Sequence, residues 1–329
     1  MTIILSTSNK YGFVTVCDRM VSSSNKEISR RFNKTIITYS TGGISTVSFT
    51  GVAKIGDSYT DTWIVEKLLG EAPKEDAIKF GNSKKYNSLR TIRSTRNCIY
   101  RAIKSLIGSG TPGSDQYLEI AMSGQEVFQG RIIPHGICFL KKQNSKSIEV
   151  GGLRPRDYFS SHLHGHFHVS GGYGKKHLEI TKKMMLRAKR ASQGPLYLNS
   201  VRDVLVDALR DFSEAESSIG SEAMEIIGSF DTGNCTVSFS SIDPKHSKMA
   251  HPLFDEEQAT FSPWILSPRR YYPPHEIAAG SIKFPMGSFT NGRKIFVEIL
   301  GNYSGSGICM SPLQRKIPKP FAVTRRFTR

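Results

Sequence analysis

Thr2, Asp18 and Lys34 follow one another at intervals of 16 residues. With Met1 removed, Thr2 becomes the N-terminal residue and carries both a hydroxyl nucleophile and an α-amine base. One residue holding both groups is an established way to activate a weak hydroxyl. Each of the three also has an ordinary reading. Many chains begin Met-Thr, Asp18 suits a turn cap, and Lys34 suits a solvated strand end. A second cluster is His162, His164, His166 and His168, which alternate. On a strand they share one face, where imidazoles bind zinc, copper or nickel. No cysteine or carboxylate stands at a companion spacing, so the expectation is a polar strand or loop near a cleft, with no metal and no cofactor.

The elements around these residues are legible from their periodicity. Thr2–Ser8 and Phe13–Cys17 are apolar, β-branched runs flanking Asn9-Lys10-Tyr11-Gly12, which reads as a hairpin. Residues 22–33 are polar and charged, a loop with a short strand. Thr35–Tyr39 and Thr46–Ala53 form a second strand pair around Gly42-Gly43. Helical spacing then appears in Asp61–Leu69 and Leu89–Ile107. Strands return at Tyr117–Met122, Ile137–Leu140 and Ser147–Val150. Helices follow at about 175–192 and 200–216, then a strand at Thr236–Ser240. Strands, a helix pair, strands, a second helix pair and a final strand predict layers, with sheets inside and helices outside.

The 329 residues contain 45 basic and 28 acidic side chains, a net charge of +17, and 38% hydrophobic residues. That suits one large domain with an extension. No apolar run approaches the ~18 residues of a membrane span, and MTIILSTSNKYGF lacks the basic leader of a secretory signal. Cys17, Cys98, Cys138, Cys235 and Cys309 are scattered with no CxxC pair, as expected for reduced thiols in the cytoplasm. The positive charge favours an anionic partner such as nucleic acid, although no nucleic-acid motif accompanies it. The basic helix with Lys175-Lys176, Lys182-Lys183, Arg187, Lys189 and Arg190 reads as a solvated face or a docking surface. Residues 1–241 are expected to form the main domain. Residues 242–329, with eight prolines from Pro263 to Pro320 and a basic end, form an extension with one clear strand, Lys294–Leu300, that packs on or completes the domain.

The opening of the chain resembles proteasome-type β subunits of the N-terminal nucleophile hydrolase superfamily. In that family a free threonine leads strand one, a glycine sits in the first hairpin, an aspartate ends strand two, and a lysine opens the next strand. Thr2, Gly12, Asp18 and Lys34 hold these places without a gap. The resemblance covers about residues 2–241. It implies an α+β fold, a four-layer αββα sandwich, extended here by the basic, proline-containing C-terminal segment. It also implies an oligomer. Ser22 falls at the hydroxyl residue whose backbone aligns substrate. Arg19 stands directly after Asp18, where the family has its arginine two residues on. Gly51, in Ser48-Phe49-Thr50-Gly51-Val52-Ala53, matches the glycine whose amide forms the oxyanion hole, three residues further along. Ser170 or Tyr173 matches the assisting serine, and Asp231-Thr232-Gly233 a shortened form of the family's Asp-x-x-Ser-Gly.

The chemistry implied is peptide or amide hydrolysis. An α-amine titrates near ~8, and a neighbouring cation, Lys34, lowers that value toward neutrality. Asp18 pairs with Lys34, a buried arrangement that requires both partners. Thr2 attacks the carbonyl and forms an acyl-enzyme, Gly51 N–H stabilises the oxyanion (on the order of 3 kcal/mol in other enzymes), and water releases the acid. The substrate is a peptide or a small amide. The rival readings are a non-catalytic scaffold with the same fold and a nucleic-acid-binding protein driven by charge.

Overall fold

A computed structural model of the chain describes residues 3–23, 26–29, 33–40, 42–73, 91–152, 166–170, 175–191, 197–220, 222–229, 232–241, 262–267, 271–274, 281–288 and 294–300. The expected hairpin is β1 (Ile4–Ser8) paired antiparallel with β2 (Phe13–Asp18). Asn9 closes it, its side chain accepting from the Tyr11 and Gly12 amides at 2.9 and 3.2 Å. Gly12 is required by close approach, since a Cβ there would lie 2.5 Å from the Gly228 carbonyl oxygen. The polar stretch that follows is a small hairpin, β3 (Val21–Ser23) and β4 (Lys26–Ser29). Next come β5 (Thr35–Ser40) and β6 (Gly43–Gly51), then the ribbon β7 (Lys54–Ile55) and β8 (Ser58–Tyr59). Helices α1 (Thr60–Leu69) and α2 (Ile92–Leu106) follow, the second capped by the Thr91 hydroxyl accepting from the Ser94 amide.

β9 (Leu118–Phe128) and β10 (Arg131–Lys141) are 11 residues each. They turn through Gln129 and Gly130, both at positive φ. The sequence reading stops these strands short, because Gly124, Gln125, Pro134 and His135 interrupt their apolar runs. β11 (Glu149–Gly152), β12 (His166–Ser170), α3 (Lys175–Ala191), α4 (Tyr197–Ala215), β13 (Glu222–Ser229) and β14 (Asn234–Ser241) complete the order to residue 241. Beyond it lie β15 (Ile265–Leu266), β16 (Tyr271–Tyr272), β17 (Ser281–Ser288) and β18 (Lys294–Leu300). β13 and β15–β17 are absent from the sequence reading. β17 carries Pro285, and its register shifts between Pro285 and Gly287, so it lacks a clean alternation.

Among the described residues two seven-stranded sheets result, in the orders β12-β1-β2-β13-β14-β18-β17 and β11-β10-β9-β6-β5-β15-β16. Period-2 alternation sorts their side chains into three interlayer cores. Leu5, Val14 and Val16 pack with Val201, Leu205 and Phe212 of α4. Ile4, Phe13 and Cys17 of the first sheet meet Ile37, Tyr39 and Ile44 of the second. Val47, Phe49 and Ile120 face α1 and α2 through Ile64, Leu68 and Ile103. The architecture is therefore the expected α+β sandwich with layers in the order αββα. No helix among the described residues is long and apolar enough to cross a membrane.

The segment beyond residue 241 joins both sheets. β18 pairs in parallel with β14, and β15 pairs in parallel with β5. Trp264, at the start of β15, packs in the outer core with α1. Its indole N–H approaches Asp61 in the first turn of α1, outside regular hydrogen-bond geometry. Burial pushes the Asp61 carboxyl up to about 6, outweighing the Thr62 amide that donates to it at 2.7 Å. The folded state thus holds a proton that the unfolded chain releases near ~4. Asp61 favours the fold below about pH 4, and this contribution is lost as pH rises through about 6. Asp61→Asn is expected to raise stability at about pH 7.5 by up to ~3 kcal/mol and to leave it unchanged near about pH 4. Urea unfolding at the two pH values checks this.

Candidate active site

Asp18 ends β2 wholly buried, and its carboxylate gathers three donors. Lys34 Nζ lies 3.0 Å from Oδ2, the Ile3 amide 2.9 Å from Oδ1, and the Gly220 amide 3.3 Å from Oδ2. The Asp18 amide donates in return to the Ile3 carbonyl at 3.2 Å. Lys34 also donates to the Met20 carbonyl. Asp18 therefore does two things at once: it pairs with a buried lysine, and it fixes the backbone of the residue that follows Thr2. Thr2 itself lies outside the described residues.

Asp18 and Lys34 come from different sheets, so their meeting depends on how the sheets stack. Side chains between the sheets set that stacking. Thr15 and Thr46 hydroxyls lie 2.9 Å apart across the gap, and Cys17 Sγ is 3.4 Å from the Thr35 hydroxyl, which Ser48 of the same sheet orients at 2.8 Å. Burial, the largest cause, pushes the Cys17 thiol up to about 11, so it stays protonated at neutral pH and serves as a packing and hydrogen-bonding group.

Gly51 ends β6 at the Lys34 end of the second sheet, two residues beyond Phe49, whose amide donates to the Lys34 carbonyl at 3.0 Å. Its φ is +104°, and a Cβ would sit 2.2 Å from the Tyr117 carbonyl oxygen. Backbone geometry alone therefore demands glycine there. Ser170 ends β12 opposite Ile4 of β1, beside the start of the chain. Ser22 lies in β3, opposite Glu27. Arg19 is buried, with its guanidinium 4.6 Å from the centre of the Phe239 ring and 3.9 Å from the Glu222 carboxylate. Tyr173 and Asp231 lie outside the described residues, as do His162 and His164. His166 and His168 stand in β12 opposite Ser8 and Ser6.

One soft match falls in the wrong place. Thr232 and Gly233 form the turn between β13 and β14, where Gly228 is opposite Phe13, whereas Ala223 is opposite Asp18. That turn is at the far end of β2, about five residues or ~17 Å of strand from Asp18. The segment from this half of the chain that does reach Asp18 is the turn after α4, through Gly220. Sequence reasoning passed over it. Its signal is Glu216-Ser217-Ser218-Ile219-Gly220, an acidic residue and a glycine at the spacing of Asp-x-x-Ser-Gly, with Ile219 in the serine's place.

The Asp18 and Lys34 side chains are 0% and 4% exposed, so removing one leaves the other charge buried without its compensation. Asp18→Asn and Lys34→Met are each expected to cost about 3–5 kcal/mol. The double variant is expected to lose less than the sum of the two. A double-mutant cycle in urea checks both statements.

No protein-family model and no curated protein matches the chain. Solved structures do. Anbu, the ancestral β-subunit, from Yersinia bercovieri is 11% identical, covers 69% of this chain and 81% of its own, and gives a TM-score of 0.44. A Gly-1 mutant of Anbu from Hyphomicrobium sp. strain MC1 is 12% identical over 69% of this chain and 82% of its own, at 0.41. Another Anbu structure from that strain is 9% identical over 69% and 81%, at 0.42.

Proposed function

We propose that the chain is an N-terminal threonine amidohydrolase, a proteasome-like peptidase acting through a Thr2 acyl-enzyme after Met1 is removed. The observation that supports this most is the buried Asp18 carboxylate, bound at once to Lys34 and to the amide of Ile3. A lysine so placed brings positive charge to the start of the chain. There it lowers the proton affinity of a free α-amine, leaving the amine neutral enough to act as a base.

In this reading the Thr2 amine takes the hydroxyl proton as the oxygen attacks an amide carbonyl. The negative charge on the tetrahedral oxygen is met by the Gly51 N–H. The protonated amine then gives its proton to the departing amine, leaving an ester on Thr2. Water, deprotonated by the same amine, hydrolyses that ester and restores the free threonine. Ser22 borders the substrate path, Ser170 on the strand beside β1 assists the amine, and the buried Arg19 supports the backbone next to Asp18. Asp18 takes no proton in the cycle. It holds Lys34 in place.

The test combines intact mass with labelling by an electrophilic β-lactone. The expected result is a chain lacking Met1 that gains one acyl group on Thr2. Thr2→Ala should abolish the adduct while leaving the thermal transition unchanged. Labelling should rise with pH as the amine loses its proton. A chain that retains Met1 in its native host, or an adduct that survives Thr2→Ala, rejects the reading.

A further inference from the structure

The exposed face of α3 carries two rows of side chains with different fates. In one, Lys183 Nζ lies 3.1 Å from Asp211 and Arg187 Nη2 lies 2.5 Å from Asp207, both on α4. The other runs Leu178, Lys182, Leu186, Arg190, one residue in every four. Residues four apart line up on a helix surface, so this row spans about 18 Å. All four side chains are exposed. At 56% and 59%, Leu178 and Leu186 are the most exposed large apolar side chains among the described residues. Among those residues Lys182 and Arg190 have no ion-pair partner. A single exposed leucine is ordinary. Two leucines alternating with two unpaired cations on one ridge make a patterned surface.

The pattern decides what fits it. A phosphate backbone wants contiguous cations, and single strands also want aromatic platforms. Here leucines interrupt the cations and the row holds no aromatic residue. An anionic membrane surface needs a broader apolar face than two leucines supply. A second copy of the chain presents the same cations, so row against row sets like charges together. The acidic row of a second copy is already taken by its own Lys183, Arg187 and Arg210. We infer that this row docks an acidic amphipathic helix of a partner protein. The partner's apolar side chains pack around Leu178 and Leu186, and its carboxylates meet Lys182 and Arg190. Residues four apart on both helices interlock as ridges in grooves.

The probe is a fluorescein-labelled helical peptide of about 18 residues, with leucine and glutamate alternating along a row at four-residue spacing. Its binding to the full chain is read by anisotropy. Saturable binding is expected. Lys182→Glu with Arg190→Glu, and separately Leu178→Ser with Leu186→Ser, should each weaken it by at least about tenfold. The charge-reversed chain should gain a peptide in which lysine replaces glutamate. Unchanged thermal transitions show that both variants stay folded. Absence of binding overturns the inference. So does binding lost only on charge reversal and not in the leucine variant, which is the behaviour of a non-specific +17 surface. Loss of single-stranded RNA or phosphatidylserine-vesicle binding in these variants, without peptide binding, also overturns it and assigns the row to that surface instead.

Discussion

The structure turns on one buried carboxylate. Asp18 takes hydrogen bonds from the first described residue of the chain, from the lysine that precedes β5, and from the turn that precedes β13. Its own backbone belongs to β2. Four segments distant in sequence therefore converge on one side chain. A buried carboxylate is tolerable only when paired and fully hydrogen-bonded, so each of the three donors is a condition for the other two. The cost of burying the charge thereby becomes a constraint on where Ile3 lies.

That constraint would be loose if the two sheets could slide. The space between them is not a simple apolar seam. Thr15, Thr35, Thr46 and Ser48 face one another there, and Ser8 donates to the His135 carbonyl at 3.0 Å while Gln125 donates to the Asn9 carbonyl at 2.7 Å. Hydrogen bonds are directional, whereas apolar contact is not. The polar seam therefore fixes the stacking register that the apolar residues around it leave free. The helix-facing cores are built the other way, from leucine, isoleucine, valine and phenylalanine. There apolar packing dominates, joined by the buried pair of Arg202 on α4 with Glu225 on β13.

How much of this was legible depended on whether the signal was local. The β1–β2 hairpin was readable because its apolar runs flank an Asn…Gly turn. α1 and α2 were readable because their apolar residues recur at helical spacing. The pair Asp18 and Lys34 was readable as a spacing, though not as a contact, since the contact arises from stacking two sheets. β13 was missed, and with it the turn at Gly220. The residues Ala223-Met224-Glu225-Ile226-Ile227 are covered on both faces. Glu225 is hidden because Arg202 of α4 lies 3.7 Å away and Ser238 and Ser240 donate to it. A buried strand with a paired charge in its middle shows no clean alternation. The turn that reaches Asp18 stands before β13, whereas Thr232 and Gly233 stand after it.

The C-terminal strands extend the same logic to the sheet edges. Without them β5 would present an unpaired edge beside Lys34, and unpaired edges invite strands from other chains. β15 covers it: Ile37 donates to the Trp264 carbonyl at 2.9 Å, and the Asn33 side chain donates to the Ser262 carbonyl at 2.8 Å. Asn33 is the neighbour of Lys34, so the added strand grips the backbone on one side of the lysine while Asp18 holds its side chain. Trp264 in turn sits among the residues of the α1 core. The start of β5 is therefore fixed from three directions: across the sandwich by Asp18, along the sheet by β6, and at the edge by a segment more than two hundred residues downstream. A lysine whose charge must be felt at one atom gains more from such a rigid backbone than from any further contact to its own side chain.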